Sequence, residues 1–136
     1  MGLDQYIYKT RRDEIAYFRK VNFLQGYFEN KYPDKNLNCE YVRIQKEDVE
    51  DIIERCNNIL EHVTFSEDKS LEGVIWSPKA VEIAKKEMPI KEGFFYGSYE
   101  YDSWFFDDVK EVKEVFEKIL KETDFDEDTI EYSCWY

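Results

Sequence analysis

The sequence predicts an α+β domain: a small sheet of short strands with three to four helices packed on one face. Three observations lead there. Apolar residues recur at helical steps in four stretches, runs rich in aromatic and β-branched residues read as short strands, and the two kinds of element do not alternate in the strict order of a parallel sheet. The 136 residues amount to one domain, 1–136, and 43% apolar with 18% aromatic residues is enough to bury a true core.

Leu3, Tyr6, Ile7 and Tyr8 read as a first short strand that stops at the polar run Lys9 to Arg12. Asp13 is placed to cap a helix reaching about Lys31, in which Tyr17, Val21, Leu24 and Phe28 recur at steps of four, three and four, with Ile15 and Phe18 widening the stripe. Tyr32-Pro33 ends it, because a residue before proline is pushed out of helical geometry and proline has no N–H to donate. Tyr41 to Ile44 form a second strand. Val49, Ile52, Ile53, Cys56, Ile59, Leu60 and Val63 then trace the clearest helical stripe, with Glu47, Asp48 and Glu50 at its positive end. The stretch 64–77 is expected to be one long flexible loop.

Pro78 opens a short helix along Val81, Ala84 and Met88 that Pro89 stops. Phe94 to Tyr96 are expected as a strand. Asp102 caps a long last helix that turns Phe105, Val109, Val112, Phe116, Ile119 and Leu120 inward, and Ile130 to Trp135 close the chain as a strand. Val49, Ile52, Ile53, Phe116 and Ile119 are expected to be buried together.

Nineteen basic against 31 acidic residues give −12, unevenly spread. Residues 1–46 carry 9 basic and 6 acidic side chains (+3), and residues 47–136 carry 10 and 25 (−15). Direct nucleic-acid binding is disfavoured, since it rests on neutralising phosphates, whereas a basic partner surface is attracted at long range. No stretch approaches the ~18–20 apolar residues of a membrane span, and the first residues lack an apolar leader core, so the cytoplasm is the expected location. Three cysteines, Cys39, Cys56 and Cys134, without C-x-x-C spacing, fit a reduced compartment, with Cys56 as a core residue.

Motifs for catalysis, metals and cofactors are missing. There is no phosphate loop, dinucleotide fingerprint or H-E-x-x-H, and the one histidine, His62, sits at a helix end where it reads as a cap or surface group. Asp124 to Asp128 imitate the start of a calcium loop, but Thr129 replaces its glycine and Trp135 its closing glutamate, so a solvated turn is expected. Asp102, Asp107 and Asp108 read first as acids favoured at a helix start. No cofactor and no metal are expected, and no enzymatic activity.

Between Gly93 and Phe106 stand eight aromatic rings, more than a core needs. Trp104, Asp107, Asp108 and Glu111 recur at steps of three and four, opposite the inward residues of the last helix. Together with Tyr99 and Tyr101 they form the first candidate site, a partner-binding surface. Arg19, Lys20, Asn22, Gln25 and Ser98 form the second, a cleft for a phosphate-bearing ligand with Tyr101 or Trp104 stacking on a base. The structural alternative is that Arg19 and Lys20 pair with the acidic carboxyl-terminal third.

Met1-Gly2-Leu3-Asp4-Gln5-Tyr6-Ile7-Tyr8, the helix Ala16 to Asn22 with Gln25 and Phe28, and Gly93-Phe94-Phe95-Tyr96-Gly97-Ser98 with Tyr101-Asp102 occur in that order. In these three segments the chain resembles a family of small acidic proteins of phages and prophages, other members of which often carry His where this chain has Gln25. The resemblance implies a phage context, in which small non-enzymatic proteins disable host defences. The expected function is therefore that of an anti-CRISPR-like inhibitor in the host cytoplasm. Its acidic, aromatic surface would bind a host defence protein with a basic surface, in the manner of a nucleic-acid mimic. A nucleotide sponge is the alternative, and a homodimer is allowed by either.

Overall fold

A computed structural model describes residues 3–7, 12–35, 40–67, 71–91 and 100–134. In order these form α1 (Asn22–Lys31), β1 (Val42–Ile44), α2 (Lys46–Leu60), β2 (Val63–Phe65), a 3₁₀ turn (Leu71–Gly73), β3 (Val74–Trp76), α3 (Pro78–Glu87), α4 (Ser103–Glu122) and β4 (Ile130–Tyr132). The fold is α+β, and among the described residues the strands form two separate antiparallel ribbons, β1 with β4 and β2 with β3.

The centre is the α2–α4 pair. Each helix turns one stripe inward: Val49, Ile52, Cys56 and Ile59 from α2, and Phe105, Val109, Val112, Phe116 and Ile119 from α4, all buried. The expected cluster is therefore present, except that Ile53 lies one step off the stripe and is only partly buried. α3 packs on α2 through Ala80 and Ala84, whose small side chains permit close approach. Pro78 begins it, as expected, and Met88 closes it just before Pro89.

α1 is shorter than its apolar spacing predicts. The helix starts at Asn22 rather than after Asp13, because Lys20 takes φ 57°, a left-handed conformation that cannot be propagated in a right-handed helix of L-residues. Upstream of that break Ile15 and Tyr17 lie in solvent, while Phe18 stacks on Phe116 at 6.3 Å. Downstream, Phe23 meets the edge of Phe105 at 5.1 Å and Phe28 packs on Tyr132 at 4.4 Å, which ties α1 to α4 and to the β1–β4 ribbon. Tyr32 caps the helix before Pro33, as predicted.

Other expectations change. Residues 3–7 belong to no helix or strand, and Leu3, Tyr6 and Ile7 are exposed. Within 64–77, expected as a loop, Thr64 pairs with Ile75 and Phe65 with Val74, so the stretch folds back as a hairpin. Its strands, three residues each, are too short to show a periodic signal. The last strand is described over Ile130–Tyr132. The strand expected at Phe94 to Tyr96 lies outside the described residues, as do Tyr8, Cys39 and Trp135. Asp124 to Asp128 do form a turn, in which the Asp126 N–H donates to Asp124 Oδ1 at 3.0 Å. His62 lies just past the end of α2, in the turn into β2.

A polar seam fixes α1 against α2. Asp48, almost wholly buried, accepts the Gln45 N–H at 3.0 Å and the Tyr32 hydroxyl, and faces Lys31 Nζ at 3.4 Å. Burial and the bond to Asp48 push the Tyr32 hydroxyl up to about 12. One turn on, Asp51 accepts the Tyr27 hydroxyl at 2.7 Å and Arg55 Nε at 2.9 Å. These bonds outweigh burial and hold the Asp51 carboxyl below its ordinary value. Arg55 continues the seam to α3, donating to the Glu87 carbonyl at 2.8 Å.

Candidate functional site

The first turn of α4 is where the predicted residues gather. Asp102 caps it as expected, its Oδ1 accepting the Phe105 N–H at 3.1 Å. Burying Phe105 and Phe106 against α1 and Trp76 fixes the rotation of the helix. That rotation leaves Trp104 63% exposed, with Asp107 and Glu111 on the same outer stripe.

The neighbouring cations are drawn elsewhere. Lys110 Nζ lies over the Phe65 ring at 4.7 Å, and Lys113 faces Glu117 at 3.8 Å. Among the described residues, Asp107, Asp108 and Glu111 form no ion pair. Asp108 records the consequence: half-buried, and beside Glu111, Asp107 and Asp102, its carboxyl is pushed up to about 7. Desolvation is the largest cause, and the three like charges add to it.

Asp108 departs from the outer stripe and lines a cleft between the start of α4 and the lead-in to α1. Lys20, Asn22 and Phe23 form one wall, Asp102, Trp104 and Asp108 the other, and Glu100 sits at the edge. The two candidate sets thus meet here through Lys20, Asn22, Trp104 and Asp108. The cleft holds about 30 Å³, against roughly 300–1,000 Å³ for pockets that enclose drug-sized ligands. Lys20 occupies its left-handed conformation at this rim, a backbone state that costs a non-glycine residue on the order of 1 kcal/mol.

Other expected members fall away from the site. Tyr101 is no free contact group: its hydroxyl accepts the Ile90 N–H at 3.0 Å and its ring meets Phe105 edge-on at 4.9 Å. Gln25 is buried in α1 and donates to Glu29 Oε2 at 3.0 Å, leaving its Oε1 without a partner among the described residues. Arg19 is exposed, and neither it nor Lys20 forms the expected ion pair with the acidic third among the described residues. Ser98 and Tyr99 lie outside the described residues.

Glu114 and Glu100 were not predicted and belong to the same region. Glu114 continues the exposed stripe three residues beyond Glu111, a spacing that the sequence displays, whereas the position of Glu100 at the cleft is set by tertiary packing. No group of three potential metal-binding side chains occurs among the described residues, and no helix there is long and apolar enough to cross a membrane. No family model, curated protein or solved structure matches the chain.

Proposed function

We propose that this protein works by binding, through a rigid acidic and aromatic surface on α4, as a phage-type inhibitor of a host defence protein. Trp104 supplies the anchor, and Asp107, Glu111 and Glu114 supply charge, with Asp108 behind them. The observation that carries this proposal is an exposed tryptophan set among carboxylates that have no ion-pair partner among the described residues. Exposed aromatic anchors dominate binding energy, and a patch of uncompensated charge speeds encounter with a partner of opposite sign. The partner proposed is a basic groove that otherwise holds nucleic acid, which carboxylates along a helix would occupy in place of phosphates. The cleft volume gives the nucleotide-sponge alternative no support.

The test is kinetic. A defence protein retained from host lysate should bind the parent quickly at 0.1 M salt and more slowly at 1 M, where the Debye length falls from about 10 Å to about 3 Å. Replacing Asp107, Asp108 and Glu111 with Lys should slow association, and Trp104→Ala should mainly speed dissociation. Equal association rates for parent and charge-reversed protein across that range would remove the mimicry proposal.

A further inference from the structure

We propose that residues 13–21 form a two-state strap, which lies along α4 outside any helix in one state and continues α1 as a helix from Asp13 in the other, with Lys20 as the hinge. In the structure Arg12 to Lys20 belong to no helix or strand. Yet Asp13 to Val21 hold neither glycine nor proline and open on two acids, which suit the positive end of a helix. They also set Tyr17 four residues before Val21, on the row that Leu24 and Phe28 continue. Val21, Leu24 and Phe28 are buried, whereas Tyr17 is 69% exposed and Ile15 is exposed with it. The helical pattern of the strap is thus left unused.

α1 begins poorly where the strap joins it. Lys20 takes φ 57°, which a residue with a Cβ adopts only at a cost. Val21, at the N-cap, offers no side-chain acceptor to the first-turn N–H groups, and no acid stands in that turn. Continuing the helix removes both faults: Lys20 returns to right-handed geometry, and the N–H groups of Asn22, Phe23 and Leu24 donate to the carbonyls of Phe18, Arg19 and Lys20. Opposing this are the contacts that hold the strap down, Phe18 on Phe116 at 6.3 Å and Arg12 over the Tyr41 ring at 4.0 Å and on Glu131 at 3.2 Å. A local preference set against a few tertiary contacts gives two states of comparable weight. Lys20 and Asn22 line the cleft opposite Trp104 and Asp108, so the conversion rebuilds one wall of that cleft and couples the strap to the α4 surface.

The test uses the full chain alone, so its outcome is separate from that of the α4 proposal. Glycine takes φ 57° freely and disfavours helix, whereas alanine does the reverse. Lys20→Gly and Lys20→Ala should therefore differ in the ratio of the two states on the order of thirtyfold. By NMR, the Cα shifts of residues 15–21 should be helical in Lys20→Ala and non-helical in Lys20→Gly, with slower amide exchange from 18 to 24 in the alanine variant. Phe18→Ala, which removes the stack on Phe116, should move the parent towards the helical shifts as well. Lys20 is exposed, so its replacement leaves the core intact, and the shifts of α2 serve as the reference. Either of two results overturns the proposal: non-helical shifts at 15–21 in both Lys20→Ala and Phe18→Ala, or the same shifts in Lys20→Gly as in Lys20→Ala.

Discussion

Removing the charge of Asp108 should stabilise the protein. The Asp108→Asn variant keeps the shape of the side chain and ends its repulsion with Asp102, Asp107 and Glu111. A carboxyl raised from 3.8 to about 7 would, at 1.36 kcal/mol per unit, cost the folded state about 4 kcal/mol at high pH if wholly shielded. Asp108 is only half-buried, and screening by water and ions brings the expected gain to about 1–2 kcal/mol. The pH dependence has a definite sign. Below the ordinary carboxylate value both folded and unfolded chains hold the proton and the penalty vanishes. As pH rises towards 7 the unfolded chain releases it while the folded chain retains it, so stability falls through that window and levels off above it. Urea unfolding followed by circular dichroism, from about pH 5.5, above the pI of 4.6, to about pH 8.5, should show the variant's advantage widening with pH. A parent and variant that differ by the same amount at every pH would refute the electrostatic origin of the effect. A gain at pH 8 would mean that the acidic surface is kept at the expense of stability, as binding sites often are.

The remaining predictions concern the frame that holds this surface. Ile52→Ala should lower stability by about 2–5 kcal/mol in a thermal or chemical melt, and Ile53→Ala by clearly less, because Ile52 is fully buried and Ile53 is not. Asp48→Ala should cost about 3 kcal/mol, since it leaves the Gln45 N–H, the Tyr32 hydroxyl and Lys31 without their shared acceptor; a loss under 1 kcal/mol would make the seam incidental. Burial pushes the Cys56 thiol up to about 12, so in the native protein it should resist alkylation at pH 8 and react only as urea unfolds the chain, which mass spectrometry of the labelled peptide would check.

What could be read from the sequence depended on whether a local pattern fixed the outcome. α2 and α4 were legible because each pairs a long apolar period with a start signal, Asp48 in one and the Asp102 cap in the other. The beginning of α1 was not. Tyr17, Val21, Leu24 and Phe28 keep a helical step across a backbone that reverses at Lys20, and nothing in those side chains reports the dihedral of the residue between them. The β2–β3 hairpin was missed because three-residue strands give too few positions to show alternation. At the candidate site, the outward placement of Trp104, Asp107 and Glu111 followed from helix spacing. The half-burial of Asp108, its place with Lys20 in the lining of one cleft, and the use of the Tyr101 hydroxyl to satisfy the Ile90 N–H all depend on how the lead-in to α1 and the start of α4 are brought together, which no single segment encodes.

The β1–β4 ribbon has a consequence for synthesis. Ile44 pairs with Ile130, 86 positions later, while α2, the β2–β3 hairpin and α3 follow one another along the chain and meet through much closer neighbours. Contacts so distant in sequence form late, since the intervening chain must first be ordered. On the ribosome, the β2–β3 hairpin and the contact of α2 with α3 can form early, but the inward stripe of α2 must wait for α4, and Val42 and Phe28 must wait for Tyr132, before they are covered. A nascent chain stalled before Ile130 therefore carries an open strand edge and uncovered apolar side chains, the features that chaperones bind and that aggregation exploits.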